Sequence, residues 1–268
     1  MSAAASPDAI LILGGTGEAR DLAADLIGDG EGEVEGTPAS TGAGLRVITS
    51  LAGRVARPRL PVGEVRIGGF GGPEGLATWI ADHGVGCVVD ATHPFAERIS
   101  ANADLACQAT ATPLLRLQRP GWRAGPADAW HWVDSLDEAA GLLPALGKRA
   151  FLTTGRQGLA AFAGVDAAFF LIRCVDPPDV ALPRHHELLL DRGPYTVDGE
   201  LALIDRHRLD VVITKDSGGP LTAAKLEAAR TRGLPVIVVR RPGRPDLPEV
   251  ATAGEAAAWA LRQRRRSR

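Results

Sequence analysis

The stretch ILILGGTGEAR, residues 10–20, runs from four apolar residues into a glycine-rich turn. Beyond it Ala19, Leu22, Ala23 and Leu26 recur at helical spacing. A short buried strand, a tight turn and an amphipathic helix make up the first half of a βαβ unit. Gly14, Gly15 and Gly17 permit close approach of a ligand to the backbone, and Thr16 and Glu18 lie between and beside them. The start of the helix offers N–H groups and partial positive charge to a phosphate. The pattern satisfies the first two glycines of the dinucleotide fingerprint, counted from Gly15, but Arg20 stands where the third glycine belongs. No Gly-Lys-Ser/Thr follows, which excludes a P-loop. Taken alone, the turn is compatible with a nicotinamide dinucleotide, with S-adenosylmethionine, or with a purely structural bend.

Moving outward, the same rhythm continues. Residues 47–49, 65–67, 86–90 and 114–117 read as strands, with helices over 73–83 and 95–109. Residues 28–45, GDGEGEVEGTPASTGAGL, read as an insertion loop. A Pro-, Gly- and Trp-rich stretch at 119–132 reads as a domain junction. A second series follows, with strands at 151–153, 169–175, 188–191, 211–214 and 236–240 and a helix over 222–232 that stops at Gly233. The fold expected is α/β, with a first domain over 1–120 and a second over 121–268. Residues 130–133 and 249–252 read as edge strands that the sequence assigns to neither sheet.

Composition narrows the function. The chain has 268 residues, a net charge of −2 and 4% aromatics, which gives neither a basic field nor stacking platforms for nucleic acid. Cys87, Cys107 and Cys174 form no CxxC pair, so neither a zinc knuckle nor a redox dithiol is expected, and such sparse cysteines fit a reducing cytoplasm. The N-terminus has no basic region leading into an apolar one, and no apolar run reaches the ~20 residues of a membrane span. Five arginines between 262 and 268 read as a solvated tail. No Gly-x-Ser-x-Gly elbow occurs, His185 and His186 are adjacent and face opposite sides of a strand, and Tyr195 has Gly199 rather than Lys four positions on. No metal site is expected.

The candidate binding residues cluster at expected strand ends. SLAGR places Ser50 and Arg54 where an NAD-binding domain puts an acid for the ribose 2′-hydroxyl. A hydroxyl and a guanidinium suit a 2′-phosphate, so NADPH is the favoured cofactor. GGFGG surrounds Phe70 with glycines, Gly69 among them, and again permits close approach. Asp90-Ala91-Thr92-His93-Pro94-Phe95 ends a central strand where open α/β sheets bind ligands, with Arg98 about a turn further on. In the second half, TTGR presents Arg156, DRGPY presents Arg192 and Tyr195, and TKDSGG presents Lys215, Asp216 and Ser217. Three basic strand ends point to an anionic ligand held by charge-assisted hydrogen bonds.

The ordered set ILILGGTGEAR, SLAGR, GGFGG, VDATHPFAERISANA, LQRPGW, TTGR, DRGPYT and TKDSGGP resembles the precorrin-6A reductase family of cobalamin biosynthesis, from about Ile10 to Pro242. The resemblance implies two Rossmann-like domains with mainly parallel sheets, one for coenzyme and one for substrate. It implies NADPH-dependent reduction of one double bond of an anionic tetrapyrrole, with product handed to the next enzyme of the pathway. Gly14, Gly15, Thr16, Gly17, Glu18, Ser50, Arg54, Gly69, Phe70 and Thr92 are then the cofactor residues. Arg98, Arg119, Arg156, Arg192, Tyr195, Lys215, Asp216 and Ser217 are the substrate residues. Thr16, His93 and Tyr195 are the groups that could supply a proton. A methyltransferase using S-adenosylmethionine and a non-catalytic NADPH sensor are the competing readings. Two cationic rims argue against the sensor.

Overall fold

The computed structural model describes residues 9–28, 45–53 and 58–266. The chain begins with β1 (Ala9–Leu13), α1 (Gly17–Gly28), β2 (Arg46–Leu51), β3 (Glu64–Ile67), α2 (Pro73–Asp82), β4 (Val85–Asp90), α3 (Glu97–Thr110) and β5 (Leu114–Leu117). It continues through β6 (Ala129–Val133), α4 (Leu136–Leu146), β7 (Arg149–Leu152), β8 (Phe169–Cys174), β9 (His186–Leu190), α5 (Val197–His207), β10 (Val211–Lys215), α6 (Ala224–Arg232) and β11 (Pro235–Val239). It ends with β12 (Glu249–Val250) and α7 (Ala253–Arg266). Two compact units result: Met1–Arg119 with Gly243–Arg268, and Pro120–Pro242.

The first unit holds a parallel sheet in the order β12-β5-β4-β1-β2-β3. Strand order reverses between β1 and β4, so the crevice at their carboxyl ends is the topological switch point. Ile10 and Ile12 of β1 face the layer of Ala19, Leu22, Ala23 and Leu26 from α1 and Ala256, Ala257 and Ala260 from α7. Leu11 and Leu13 face Leu76 and Ile80 of α2 and Ala103, Ala106 and Cys107 of α3. Both faces of β1 are covered, which is why its sequence is an unbroken apolar run rather than an alternating one.

The second unit repeats the plan in the order β6-β11-β10-β7-β8-β9, again all parallel. Its switch point lies between β7 and β10. The chain leaving β7 forms only a 3-10 turn, Leu159–Phe162, where the first unit has the twelve-residue α1.

One edge of each sheet is closed by a strand out of chain order. β6 precedes the rest of its sheet and pairs with β11, the last strand of that unit. β12 follows the whole second unit and pairs with β5. Residues 243–268 therefore belong to the first unit, a correction to the expected second domain of 121–268. A two-residue strand carries no periodic signal, and the alanine face of α7 fits any close-packed layer equally well. Among the described residues no helix is long and apolar enough to cross a membrane. The three cysteines are free and buried, and burial pushes the Cys87 and Cys107 thiols up to about 12, well away from nucleophilic chemistry.

Candidate active site

The turn after β1 is built from contacts that require its residues. Gly14 N donates to Ser50 O at 2.9 Å, and a Cβ on Gly14 would sit 2.7 Å from Thr49 Cγ2. Gly15 has φ of 116°, a conformation side chains rarely adopt. Thr16 is buried; its Oγ1 accepts from Ala19 N at 3.1 Å, capping α1, and donates to Ala91 O at 2.7 Å. That second bond ties the turn to the end of β4 across the switch point. Arg20 folds back to donate to Thr16 O at 3.0 Å, which accounts for an arginine where the fingerprint has its third glycine.

Asp90, at the end of β4, is buried and accepts from Thr92 N at 3.1 Å, Thr92 Oγ1 at 2.6 Å and Ser100 Oγ at 2.5 Å. This network fixes the backbone that carries His93. Phe95 N donates to His93 Nδ1 at 3.2 Å, so a neutral ring carries its proton on Nε2. Arg244 Nη2 donates to His93 O at 2.6 Å. Gly14, Gly15, Thr16, Gly17, Thr92 and His93 thus gather at one switch point. Arg98 is exposed at the start of α3. Arg119 is engaged by Glu18 at 2.6 Å, so two residues expected to hold different ligands neutralise each other here.

The ends of β2 and β3 form a second cluster of the same unit. Arg66, which the sequence reading passed over, donates to Ser50 Oγ at 3.1 Å, Gly68 O at 2.8 Å and Gly69 O at 3.0 Å. Its guanidinium lies 3.8 Å from the Phe70 ring centroid. The cluster thereby joins Ser50, Gly69 and Phe70. Arg54, the other expected phosphate ligand, lies outside the described residues. Gly75, in the first turn of α2, faces this loop, and a Cβ there would fall well inside contact distance of Phe70 O. Alanine normally gains about 1 kcal/mol over glycine inside a helix. Here the sign reverses: Gly75→Ala is expected to lose about 1–3 kcal/mol and to disturb the Phe70 loop, read by thermal melting and dinucleotide titration.

In the second unit, Thr153-Thr154-Gly155-Arg156 leaves β7 and Lys215-Asp216-Ser217 leaves β10, so both flank the switch point. Burial pulls the Lys215 ammonium below its ordinary value. Asp216 is committed within the protein: Oδ1 accepts from Trp122 N at 2.9 Å, and Oδ2 pairs with Arg241 Nε at 3.2 Å. Arg192 and Tyr195 follow β9 at the sheet edge instead. Tyr195 OH donates to Asp191 O at 3.2 Å, and its ring covers Arg173 at 3.6 Å. Burial pushes the Tyr195 phenol above its ordinary value, with Arg173 opposing. Trp132, Asp216, Arg240 and Arg241 line an open cleft of about 450 Å³ at the carboxyl ends of β6, β10 and β11. Arg240 and Arg241 were passed over as candidates, although Arg240 ends the strand read at 236–240 and Arg241 follows it, which was the available signal.

A parallel sheet of this order with a glycine turn at its switch point, joined to a second sheet of the same plan, defines a tandem Rossmann-like α/β protein. The chain belongs to the family described as Precorrin-6x reductase CbiJ/CobK, whose model matches residues 9–261. It is 53% identical to a Precorrin-6A reductase of Rhodococcus erythropolis, covering 93% of this chain and 96% of that one. It is 46% identical to a Precorrin-6A reductase of Mycobacterium tuberculosis with the same coverage. Identity falls to 29% against a Cobalt-precorrin-6A reductase of Salmonella typhimurium, over 87% of each chain. A solved structure, "CobK precorrin-6A reductase", superposes with a TM-score of 0.85 at 38% identity over 95% of this chain and 96% of that one.

Proposed function

We propose that this chain reduces one ring double bond of precorrin-6A with NADPH, giving the dihydro product precorrin-6B in cobalamin biosynthesis. The observation that carries the reading is family membership along nearly the whole chain, with 53% identity to a Precorrin-6A reductase. The higher identity to metal-free precorrin reductases than to the Cobalt-precorrin-6A reductase favours the cobalt-free substrate.

The first unit suits the cofactor. Gly14 leaves no room for a side chain, Gly15 opens the backbone, and α1 presents its N-terminus there. Gly17 and Glu18 would lend first-turn N–H groups to the pyrophosphate, and Ser50, Gly69 and Phe70 would border the adenosine ribose. Bound NADPH would supply a hydride to one ring carbon, and a proton must reach the neighbouring carbon. The second unit lacks a helix at its equivalent turn and suits the anionic tetrapyrrole instead. Arg156, Arg192 and Lys215 of this unit, with Arg240 and Arg241, would meet its carboxylates.

Of the three groups considered for the proton, two hydroxyls already donate to backbone carbonyls: Thr16 to Ala91 O and Tyr195 to Asp191 O. Their role in this reading is to hold the turns. His93 is our choice of the group that passes the proton on, and it must first take one up as the imidazolium, because the neutral ring that accepts from Phe95 N through Nδ1 has no readily lost proton. With purified precorrin-6A under anaerobic conditions, NADPH oxidation should match substrate consumed one to one. Cobalt-precorrin-6A should turn over more slowly. The absence of NADPH oxidation with authentic substrate, or tight binding of S-adenosylmethionine in place of NADPH, would reject the proposal.

A further inference from the structure

In a sheet of this order, the side chain at the end of the strand next to β1 faces the adenosine ribose, and an acid there selects NAD through the 2′-hydroxyl. Here that place is Ser50, followed by Leu51, Ala52 and Gly53, with no carboxylate. Ser50 is in register with Arg66 of the neighbouring strand. The two side chains meet at 3.1 Å at the carboxyl ends of β2 and β3.

The guanidinium is held before any ligand arrives. Nη1 donates twice, to Ser50 Oγ and Gly68 O, and Nη2 donates once, to Gly69 O. Phe70 supports one face at 3.8 Å, and Trp79 in turn braces Phe70 edge-on at 5.6 Å. A guanidinium has five N–H groups. Three are used, so among the described residues Nε–H and one Nη2–H have no acceptor. Two N–H groups are what a bidentate oxyanion contact requires. Burial pulls this guanidinium below its ordinary pKa, a cost that a bound anion would relieve.

We propose that Arg66, propped on Phe70 and aimed by Ser50, binds the 2′-phosphate of the dinucleotide and sets the preference for NADPH over NADH. The inference rests on the NADPH reading above. GGFGG then acts through its carbonyls and its ring, which orient the cation in advance.

Equilibrium titration of the full chain with NADPH and with NADH, by intrinsic tryptophan fluorescence and calorimetry, tests the assignment. Arg66→Gln should weaken NADPH by roughly 100-fold or more, the loss of about two charge-assisted bonds, while NADH changes little. Arg66→Lys keeps the charge but loses the fork, and should weaken NADPH to an intermediate extent with NADH again unchanged. Ser50→Ala should produce a smaller selective loss. If both Arg66 variants lose NADPH and NADH equally, or retain the wild-type preference, Arg66 does not read the phosphate. The unsubstituted protein separates this from the parent reading: equal affinity for both dinucleotides there overturns the NADPH assignment itself.

Discussion

Glu200→Ala is expected to cost the second unit about 3–5 kcal/mol, as removal of one partner from a buried ion pair does. Glu200 lies on α5 and Arg173 on β8, with side chains 2% and 4% exposed. They bond twice, Arg173 Nη1 to Glu200 Oε1 and Nη2 to Oε2, the latter at 3.1 Å. Tyr195 covers the guanidinium at 3.6 Å and Phe151 approaches it at 4.8 Å. Water therefore cannot replace the lost carboxylate. The variant strands Arg173, with the buried Lys225 nearby. Glu200→Gln keeps the shape and one acceptor and should cost less. The double variant Glu200→Ala with Arg173→Met should recover much of the loss, since a buried pair exchanged for apolar groups is close to neutral. Urea midpoints measure all three. A Glu200→Ala midpoint within about 1 kcal/mol of the parent would mean that the pair is not shut off from water. The functional readout is separable. Tyr195 rests on Arg173 and holds Asp191 O, so residues 191–195 should loosen; if they bind the tetrapyrrole as proposed, its KM should rise more than kcat falls.

The sequence and the fold agree where local chemistry decides the outcome. The run at residues 10–13 reads as a buried strand because both its faces are covered. Gly233 reads as a stop because the chain turns left-handed there, with φ of 64°. Disagreement arises where a partner distant in sequence decides. Nothing near Arg173 announces Glu200, 27 residues on, so FFLIRC reads only as a strand containing a charge. Ser50 and Phe70 are visible as separate candidates, but Arg66 joins them only through strand register. β12 pairs with β5 across the entire second unit, which no periodicity signals. Thr16 and Tyr195 show the reverse situation. Their residue types suggest acid chemistry, and the carbonyl to which each hydroxyl donates is invisible in the sequence.

Lys225→Met should stabilise the protein at pH 6 by more than it does at pH 9. Lys225 lies on α6, buried, with Nζ donating to Thr222 O at 2.5 Å and 4.6 Å from the Trp122 ring. Burial pulls its pKa down from 10.5 to about 7; Arg173 pushes the same way and Glu200 opposes. Between about 7 and the unfolded value, the unfolded chain carries a proton that the folded chain does not. Stability therefore rises with pH across that window, and below about 7 the full cost of burying the ammonium is present. Methionine fills similar space without the charge and forgoes one hydrogen bond. The gap between variant and parent should narrow by about 1.4 kcal/mol per pH unit above pH 7, measured as urea midpoints at pH 6, 7.5 and 9. A gap independent of pH would show that the amine titrates alike in both states. The same charge couples to the neighbouring pair. Glu200 favours the charged form of Lys225, so losing it costs an added amount at pH 6, where that form is otherwise held, and not at pH 9, where Lys225 is already neutral. The cost of Glu200→Ala should accordingly be larger at pH 6 than at pH 9, and Lys225→Met should remove that difference.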